Sequence, residues 1–451
     1  KITVNNIDTI VSIATPMGTG ALSIIRCSGN NILDITEEFF KKKLTPRYAH
    51  YLKFQKNNII VDDVVAIYYV APKSYTGEDM LEIMCHGGSV MYQLIINEIL
   101  KIKNCRLAKA GEFTERAFLN NKMSLMEAES ICALINSKTE EAAMAARESL
   151  SGKLTQDILK IDGLLLQTRI QVEALLDFSD EDIETEGLEA IEKHIEDCKA
   201  EIINLIKRFE RNRLLFETSK IAVIGKPNTG KSSLINYLTN EEVSIVNTQA
   251  GTTRDVVSKM FSIDGAPVTI FDTAGIRETD DPIEKKGKEK AFKQAESVNI
   301  ILYLYDINTG IDNEDFEILE NLKQTNKNII TIGNKTDLLS ENKLKNAKEK
   351  NNEYIYISIK KDLGTDLLKN KILESLKVAI NESSPGVSQL EHIKYLNIAY
   401  REIDNTKINI EELEIIAEKL KKTQESVSRI LDNNDDDRVL SGIFSNFCIG
   451  K

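Results

Sequence analysis

The sequence predicts a multidomain α/β protein, in which an N-terminal α+β domain precedes a helical bundle and an α/β domain is inserted between the two halves of that bundle. Three observations support this fold class. Short apolar runs broken by glycine fill residues 1–118, and apolar residues at helical spacing fill 119–216 and return in 379–451. Between these helical stretches, residues 217–378 alternate strand-like with helical segments, which is typical of a mostly parallel sheet.

Residues 1–118 are predicted to form the α+β domain. The runs at 10–14, 21–25 and 64–70 are rich in β-branched, aliphatic and aromatic residues, as strands are. Residues 15–20, between the first two runs, combine glycine, proline and threonine, which are typical of turns.

Residues 119–216 and 379–451 are predicted to be helical and to share one core. Neither stretch has enough apolar positions to close a core alone, so we expect a single bundle into which 217–378 is inserted. The apolar positions are Leu150, Leu154, Ile158, Ile161 and Leu165, with Ile131, Leu134 and Ile135, in the first stretch, and Leu396, Ala399, Ile403, Leu413, Ile416, Ala417 and Leu420 in the second.

Composition limits the function classes. A 451-residue chain with a net charge of −12 is not expected to coat nucleic acid with a generally basic surface, although a local basic patch is compatible with it. The six cysteines are scattered without metal-ligand spacing, which fits a reducing, cytoplasmic location. No apolar stretch approaches the roughly 18 residues that a membrane-spanning helix needs, so no membrane span is predicted.

Five short segments follow the order and spacing of a GTPase active site. The first, residues 225–232, reads GKPNTGKS and is a phosphate-binding loop that follows a short apolar run. Because all five occur in one order, they predict a Ras-like P-loop G domain. The other four are GTTRD at 251–255, DTAG at 272–275, NKTD at 334–337 and SIK at 358–360.

The first three segments are expected to bind phosphate and Mg²⁺. Lys231 should reach the β- and γ-phosphates, helped by loop amides and by the N-terminus of a helix that begins near it. The hydroxyls of Ser232 and Thr253 are the expected Mg²⁺ ligands, and the Asp272 carboxylate should hold the metal's hydration shell. Gly275 can offer its amide to the γ-phosphate and so sense its loss.

The last two segments are expected to select the base. Asp337 can accept hydrogen bonds from both the ring imino and the exocyclic amino group of guanine, which adenine does not present together, so Asn334 and Asp337 predict GTP over ATP. Residues 358–360 should close over the base, although Ile359 stands where alanine is usual. The contact there is largely through the backbone, so this departure is small.

The residue after the DTAG segment is Ile276, where Ras-type GTPases place the glutamine that orients the attacking water. An isoleucine has no polar group for this task, so either hydrolysis is very slow or another polar residue supplies it. The downstream candidates, each of which by itself is more typical of a solvated loop charge, are Arg277, Glu278, Asp280, Asp281 and Glu284.

Two further segments resemble the N-terminal domain of the MnmE (TrmE) family of tRNA-modification GTPases. They are TGEDMLE at 76–82, followed by HGG at 86–88, and AGEFTERAFLN at 110–120. The C-terminal CIGK at 448–451 is similar to that family's terminal motif, so the resemblance covers essentially the whole chain.

The resemblance implies an activity and partners. It implies GTP-driven addition of a carboxymethylaminomethyl group to C5 of the wobble uridine of certain tRNAs, shared with the FAD- and NADH-dependent protein MnmG (GidA) in a heterotetramer. It also implies a homodimer whose N-terminal domain binds a tetrahydrofolate derivative, 5-formyl- or methylene-tetrahydrofolate, as one-carbon donor. The matching folate-binding positions are Arg26, Glu82, Lys122 and Lys451.

The resemblance also implies an answer to the missing glutamine. G domains of the family pair across their nucleotides, with K⁺ in place of an arginine finger, and the matching K⁺ ligands here are Asn228, Asn247, Gln249 and Thr252. Glu284 matches the residue that orients the attacking water, so the implied catalytic residues are Glu284, Lys231 and Asn228, while the roles of Arg254 and Arg277 stay open. The full implied GTP-binding set is Asn228, Thr229, Gly230, Lys231, Ser232, Ser233, Asn247, Thr248, Gln249, Ala250, Gly251, Thr252, Thr253, Asp272, Thr273, Ala274, Gly275, Asn334, Lys335, Asp337, Ser358, Ile359 and Lys360.

Three positions depart from the family pattern. Ser124 replaces an aspartate that is common there, and Cys132 stands where an acidic residue is frequent, but both lie away from the motifs. Asn247 replaces a threonine in the K⁺ loop. If the backbone carbonyl of this residue is the K⁺ ligand, the replacement does not remove it.

Two other functions compete with this one. An Era- or Der-like ribosome-assembly GTPase shares the GTTRD segment but carries a basic RNA-binding domain after the G domain, whereas residues 387–431 are of mixed charge. A membrane-anchored switch would use Cys448 as a prenylation site, which Gly450 and Lys451 fit poorly. We expect instead that the tail places Lys451 near the folate and that the Cys448 thiol, a conceivable nucleophile, is dispensable.

Overall fold

The computed structural model describes residues 8–177, 185–241, 258–272, 297–382, 387–404, 406, 412–431, 444–445, 447 and 450. These residues form an N-terminal α+β domain, a helical bundle and an α/β domain with a P-loop, each with its own buried apolar cluster. The predicted fold class is therefore confirmed. The boundaries at 118, 216 and 378 stay predictions.

The N-terminal domain is a six-stranded sheet with helices on one face. The sheet order is β3-β4-β5-β2-β1-β6, and all neighbours are antiparallel except β1 and β6. Isoleucines and phenylalanines of α1 and α2 fill the core on the covered face, which leaves the opposite face of β2, β4 and β5 half-exposed. The elements are β1 (Thr9–Ile13), β2 (Leu22–Ser28), α1 (Ile32–Phe40), β3 (His50–Lys56), β4 (Ile59–Tyr69), β5 (Met80–His86), α2 (Ser89–Ile99), β6 (Cys105–Leu107) and α3 (Glu112–Leu119).

The first half of the bundle consists of four helices. They are α4 (Leu125–Asn136), α5 (Glu140–Leu150), α6 (Lys153–Asp177) and α7 (Thr185–Phe216). The predicted apolar stripe beginning at Leu150 is wrong in one respect: Gly152 has φ +80°, which ends α5 before α6 begins, so Leu150 is separated from the rest of the stripe. The prediction was also wrong for Leu134 and Ile135, which are 36% and 41% exposed.

The inserted domain is a six-stranded sheet flanked by helices. Its order is β12-β11-β10-β7-β9-β8, and only the edge pair β8–β9 is antiparallel, so the predicted mostly parallel sheet is confirmed. The elements are β7 (Ser219–Ile224), α8 (Lys231–Glu241), β8 (Ser258–Ile263), β9 (Ala266–Asp272), β10 (Ile300–Asp306), α9 (Asn313–Lys323), β11 (Asn328–Asn334), α10 (Glu341–Lys350), β12 (Ile355–Tyr356) and α11 (Thr365–Glu382).

The second half of the bundle, α12 (Val387–Asp404) and α13 (Leu413–Ser428), packs on α6 and α7. Ile158 and Leu165 of α6 share one buried cluster with Leu396 of α12 and Leu420 of α13. The predicted single bundle with an inserted domain is thus confirmed. Within the described ranges, no helix is both long enough and apolar enough to cross a bilayer.

The C-terminal tail reaches back to the N-terminal domain. Phe444 and Phe447 are buried in one cluster with Phe118 of α3. Gly111 has φ +69°, and a Cβ there would lie 2.3 Å from the Phe444 carbonyl oxygen. A Cβ on Gly450 would lie 1.9 Å from the Ile13 carbonyl oxygen, so backbone of the tail lies directly against the end of β1.

Candidate functional site

The phosphate loop joins the buried strand β7 to the start of α8. Thr229 is buried, and its hydroxyl donates to the Lys226 carbonyl at 2.9 Å. The Lys231 ammonium donates to the carbonyls of Gly225 and Lys226 at 2.8 and 2.7 Å. The loop therefore curls around the ammonium that a phosphate would contact, at the N-terminus of a helix, where negative charge is favoured.

Two glycines of the loop are required by their neighbours. A Cβ on Gly225 would lie 2.1 Å from the Leu304 carbonyl oxygen of β10. Gly230 has φ +101°, and a Cβ there would lie 2.4 Å from the Asn334 side-chain nitrogen. Each position therefore excludes any side chain, because the approaching atom belongs to the backbone or to a buried amide.

Oxygen donors suited to Mg²⁺ lie at the same edge of the sheet. Ser232 and Ser233 begin α8 and are exposed. Asp272 ends β9 and pairs in register with Val223 of β7, two residues before the phosphate loop. Serine and aspartate, the residue types at these two positions, carry the oxygen ligands that Mg²⁺ prefers.

Asn334 connects the phosphate loop to the base-selecting segments. Its side chain is buried, and its amide nitrogen donates to the Thr229 carbonyl at 2.9 Å, across 105 residues of chain. The hydroxyl of Ser358, also fully buried, donates to the Asp337 carboxylate at 2.5 Å. The structure thus brings together three of the five segments that the sequence predicted to form one site, and it orients the Asp337 carboxylate.

Lys335 is held by a carboxylate that sequence reasoning missed. Its ammonium donates to Asp306 at 2.8 Å, and its backbone adopts φ +68°. Partial burial alone would raise the pKa of Asp306, but the hydrogen bonds from Lys335 and Asn308 hold that pKa below its usual range. Asp306 ends β10, so the signal available in the sequence was an aspartate at the carboxyl end of a buried strand.

The phosphate loop has a second anchor, Lys226, which sequence reasoning also missed. Its ammonium lies 2.5 and 2.6 Å from the two carboxylate oxygens of Asp312 and 3.3 Å from Asp315. The hydrogen bond from Lys226 holds the pKa of Asp312 at about 2, below its usual range. Asp312 caps α9, and the carboxylates at 312, 314 and 315 were the available signal.

A second constellation lies on the half-exposed face of the N-terminal sheet. Arg26 of β2 and Glu82 of β5 are cross-strand neighbours, and the guanidinium donates to one carboxylate oxygen at 3.0 and 2.8 Å. The guanidinium carbon lies 5.3 Å from the Tyr75 ring centre and 5.9 Å from that of Phe113. The Arg26 guanidinium thus packs on both aromatic rings while it is paired with Glu82, which fixes its position on this face.

Tyr69 completes this constellation and was not predicted. Its hydroxyl donates to the second oxygen of Glu82 at 3.2 Å. Burial and Glu82 raise the pKa of Tyr69, and the charges of Arg26 and Arg47 partly oppose that rise. The sequence signal for the rings was weak, because Tyr75 and Phe113 stand next to or inside the quoted segments without a chemical reason of their own.

Two family models match consecutive parts of the chain. Residues 9–122 match one described as the GTP-binding protein TrmE N-terminus, and residues 125–448 match one described as the MnmE helical domain. The chain belongs to the MnmE family. A "tRNA modification GTPase MnmE" from Francisella tularensis subsp. holarctica is 39% identical over 454 residues, which is 98% of this chain and 99% of the relative.

A second relative agrees with membership of the MnmE family. The protein of the same name from Francisella philomiragia is 38% identical over 98% of this chain and 99% of its own. A crystal structure of Aquifex aeolicus Era with GDP and AlF4⁻ is 28% identical, covering 43% of this chain and 69% of Era with a TM-score of 0.30, too low to support a structural conclusion. Sequence similarity to MnmE proteins over nearly the whole chain disfavours the alternative of an Era- or Der-like ribosome-assembly GTPase.

Several of the residues that the MnmE resemblance implied lie outside the described residues, so their roles stay predictions. Of the K⁺ set, only Asn228 is described; it is exposed on the phosphate loop with φ +62°. Lys122 lies beside Gly77, with its ammonium donating to the Pro72 carbonyl at 2.8 Å. The undescribed residues are Asn247, Thr248, Gln249, Ala250, Gly251, Thr252, Thr253, Thr273, Ala274, Gly275, Glu284, Cys448 and Lys451.

The structure explains why serine can replace the aspartate that is common at position 124 in the MnmE family. Ser124 is the N-cap of α4, where its hydroxyl accepts from the Glu127 amide at 3.2 Å and Glu127 accepts from the Ser124 amide at 2.7 Å. Serine and aspartate cap helices about equally well, so the replacement keeps the start of α4 unchanged.

Proposed function

We propose that this chain binds and hydrolyses GTP in its inserted domain and uses that turnover to modify tRNA. One observation carries the proposal: in a chain of the MnmE family, Asn334 connects the phosphate loop directly to the base-selecting segment that holds Asp337. The segments that would bind the phosphates and the base of one nucleotide are therefore adjacent. Lys231 would bind the β- and γ-phosphates, and Asp337 would select guanine.

Magnesium is part of the proposal. Ser232 and Thr253 would supply hydroxyl ligands, and Asp272 would hold coordinated water, in keeping with the exposed Ser232 and the position of Asp272 beside β7. Bound Mg²⁺ would neutralise charge on the phosphates. Lys231 would share that task from the other side of the loop.

Potassium is proposed as the activating ion. Asn228, Asn247, Gln249 and Thr252 would hold K⁺ beside the bond that breaks, and Glu284 would orient the attacking water, when two G domains pair. The exposed position of Asn228 on the phosphate loop supports a role at such a contact. This arrangement would compensate for Ile276, which stands where other GTPases have a glutamine.

The tRNA chemistry is proposed from the family. The chain would form a cytoplasmic homodimer, assemble with MnmG, and add the carboxymethylaminomethyl group to C5 of the wobble uridine. Arg26 and Glu82, with Lys122 and Lys451, would bind a tetrahydrofolate derivative. Support comes from the Arg26–Glu82 pair, whose mixed charge suits a polar pterin, and from Gly450, which lies against β1 beside the strand that carries Arg26.

Nucleoside analysis of tRNA from cells lacking this chain tests the proposal. We expect the carboxymethylaminomethyl nucleoside to disappear, to return with the intact chain and to stay absent with Lys231→Ala, because that ammonium contacts the phosphates. An unchanged nucleoside profile in the deletion strain would refute the tRNA function, whatever the rate of GTP hydrolysis.

A further inference from the structure

An exposed basic and aromatic surface lies along the edge of the N-terminal sheet. Residues 41–53 read KKKLTPRYAHYLK, with five lysines or arginines and no carboxylate, in a chain whose net charge is −12. They lead into and begin β3, the edge strand of the sheet. Tyr48 and Tyr51 are 62% and 73% exposed, and Lys42, Lys43 and Arg47 are exposed beside them in sequence.

Buried neighbouring residues hold the backbone that carries these exposed side chains. Leu44 and His50 of this segment are buried, as is the next residue, Phe54, which stacks on Phe39 of α1 with ring centres 4.5 Å apart. The His50 ring accepts a hydrogen bond from the Thr45 amide at 2.9 Å. The covered side of β3 is therefore already filled, and Tyr51 points to the other side because side chains alternate along a strand.

The cations differ in how free they are. Lys41 contacts Glu38 at 3.5 Å, and Lys53 faces Asp63 across the β3–β4 pair, so neither brings a full uncompensated charge. Arg47 donates to the Lys73 carbonyl through one guanidinium nitrogen, which leaves its other donors available. Among the described residues, no ion pair involves Lys42 or Lys43. Lys42, Lys43 and Arg47 are thus the cations best suited to phosphate.

We propose that Lys42, Lys43, Arg47, Tyr48 and Tyr51, the basic–aromatic edge, bind RNA, with the cations on phosphates and the rings stacking on unpaired bases. Exposed aromatic rings next to cations are the usual device for holding single-stranded RNA. The inference rests on the proposed tRNA function. It deepens that function by naming the surface that receives the unpaired part of the RNA.

The position of the basic–aromatic edge supports this role. The Arg47 amide donates to the Tyr68 carbonyl at 2.7 Å, and the next residue, Tyr69, donates through its hydroxyl to Glu82 of the Arg26–Glu82 pair. An unpaired base stacked on this edge would therefore lie on the same domain as the candidate one-carbon site and beside it. A generally acidic chain would need such a local basic surface to hold a polyanion.

The test measures binding of an unmodified tRNA transcript to the full chain by fluorescence anisotropy, over a range of KCl concentrations. Lys42→Gln with Lys43→Gln should weaken binding and reduce the slope of log affinity against log salt by roughly 1.4 to 1.8, since two phosphate contacts are lost. The matched control is Lys345→Gln with Lys348→Gln on the exposed helix α10, which removes the same charge and should change neither quantity.

The tyrosines should behave differently from the lysines. Tyr48→Ala and Tyr51→Ala should each weaken binding by roughly five- to a hundredfold, with the salt slope unchanged, and should lose the preference for an anticodon stem-loop over a duplex of equal length. Phe316→Ala, which removes an exposed ring on α9, is the control and should have no effect. Tyr51→Leu is the control for misfolding, because it removes the aromatic ring but keeps an apolar side chain in β3. GTP turnover should be normal in all variants.

Several outcomes would overturn the inference. Wild-type RNA affinity in both variant sets, or equal losses in the controls, would show that the basic–aromatic edge does not bind RNA. Binding of phosphatidylserine vesicles without RNA binding would assign it to a membrane, and a changed oligomeric state in the tyrosine variants would make it an interface between copies. Failure of the wild-type chain to bind any tRNA would overturn the proposed tRNA function as well.

Discussion

At the scale of single residues, Asp337 is the clearest determinant of specificity. Asp337→Asn should lose most GTP affinity and gain affinity for xanthosine triphosphate, because an amide nitrogen can donate to the 2-oxo group of xanthine but cannot accept from the 2-amino group of guanine. Ser358, whose hydroxyl now donates to Asp337, can still accept or donate at the new amide. Competition binding with the two nucleotides measures the switch, and unchanged GTP preference would contradict the assignment of Asp337.

His392 predicts how stability depends on pH. It is buried against Phe209, with ring centres 5.5 Å apart, beside a cavity of about 20 Å³, and its Nδ1 has no hydrogen-bond partner. Burial lowers the pKa of His392 to about 4, below the value of 6.5 for an exposed histidine. The unfolded chain therefore binds the proton first as pH falls, so His392 should destabilise the fold progressively between about pH 6.5 and pH 4.

The free energy of unfolding that is lost through His392 should be on the order of 3 kcal/mol at pH 4. Urea unfolding of the wild type and of His392→Phe from pH 7.5 to pH 4 measures it, since the variant keeps a ring but has no proton to bind. The difference between the two stability curves should grow as pH falls. Parallel curves would show that His392 is protonated in the folded state or is accessible to water.

At the scale of elements, the hairpin between β8 and β9 docks the inserted domain onto the bundle. Asp264 and Gly265 at its tip have φ +48° and +82°, as in a tight hairpin turn. A Cβ on Gly265 would lie 2.8 Å from Glu141 Cβ of α5 and 3.1 Å from Leu215 of α7. Along the chain, β8 begins three residues after the GTTRD segment, and β9 ends at Asp272, the first residue of the DTAG segment.

Gly265→Ala should therefore lower the free energy of unfolding by roughly 1 to 3 kcal/mol, because it adds both backbone strain and a collision with α5. The matched control is Gly163→Ala on the exposed side of α6, where a Cβ would meet nothing within 4 Å. That change should raise stability by about 0.5 to 1 kcal/mol, since alanine favours a helix. The denaturant midpoints of the two variants should fall on opposite sides of the wild-type midpoint.

Element prediction succeeded where the pattern was local. Strands at 10–14, 21–25 and 64–70 and the helix beginning at Lys231 were found from composition and spacing, and the structure confirms them. It was wrong at Leu150, because a single glycine with positive φ interrupts an otherwise continuous helical spacing. It was also wrong at Leu134 and Ile135, because helical spacing shows which residues share a face but not what covers that face.

At the scale of the whole molecule, GTP hydrolysis is proposed to need two copies and K⁺. GTP turnover should be roughly one to two orders of magnitude faster in K⁺ than in Na⁺, since a cation fitted beside the β–γ bridge stabilises developing charge. Asn228→Ala should remove that preference. Steady-state rates in the two salts check both points, and equal rates for the wild-type chain would end the potassium hypothesis.

The sequence alone determined the chemistry of the nucleotide site, because a phosphate loop and a guanine-selecting NKTD segment depend on residues within a few positions of one another. It also indicated one bundle around an inserted domain, since two helical stretches lacked complete cores. Its family resemblance named Arg26 and Glu82 without any physical reason for the pair.

Only the tertiary structure decided which distant residues meet. It joined Asn334 to Thr229 and Arg26 to Glu82, and it gave Lys226, Asp306 and Tyr69 contacts that no motif had predicted. The physical reason is that spacing along the chain sets local conformation, whereas contacts between distant side chains depend on strand register and on how helices pack. The exposed Tyr48 and Tyr51 make the same point. Their ring type is visible in the sequence, but the exposure of Tyr51 follows from its place in β3, whose other side is buried at Phe54.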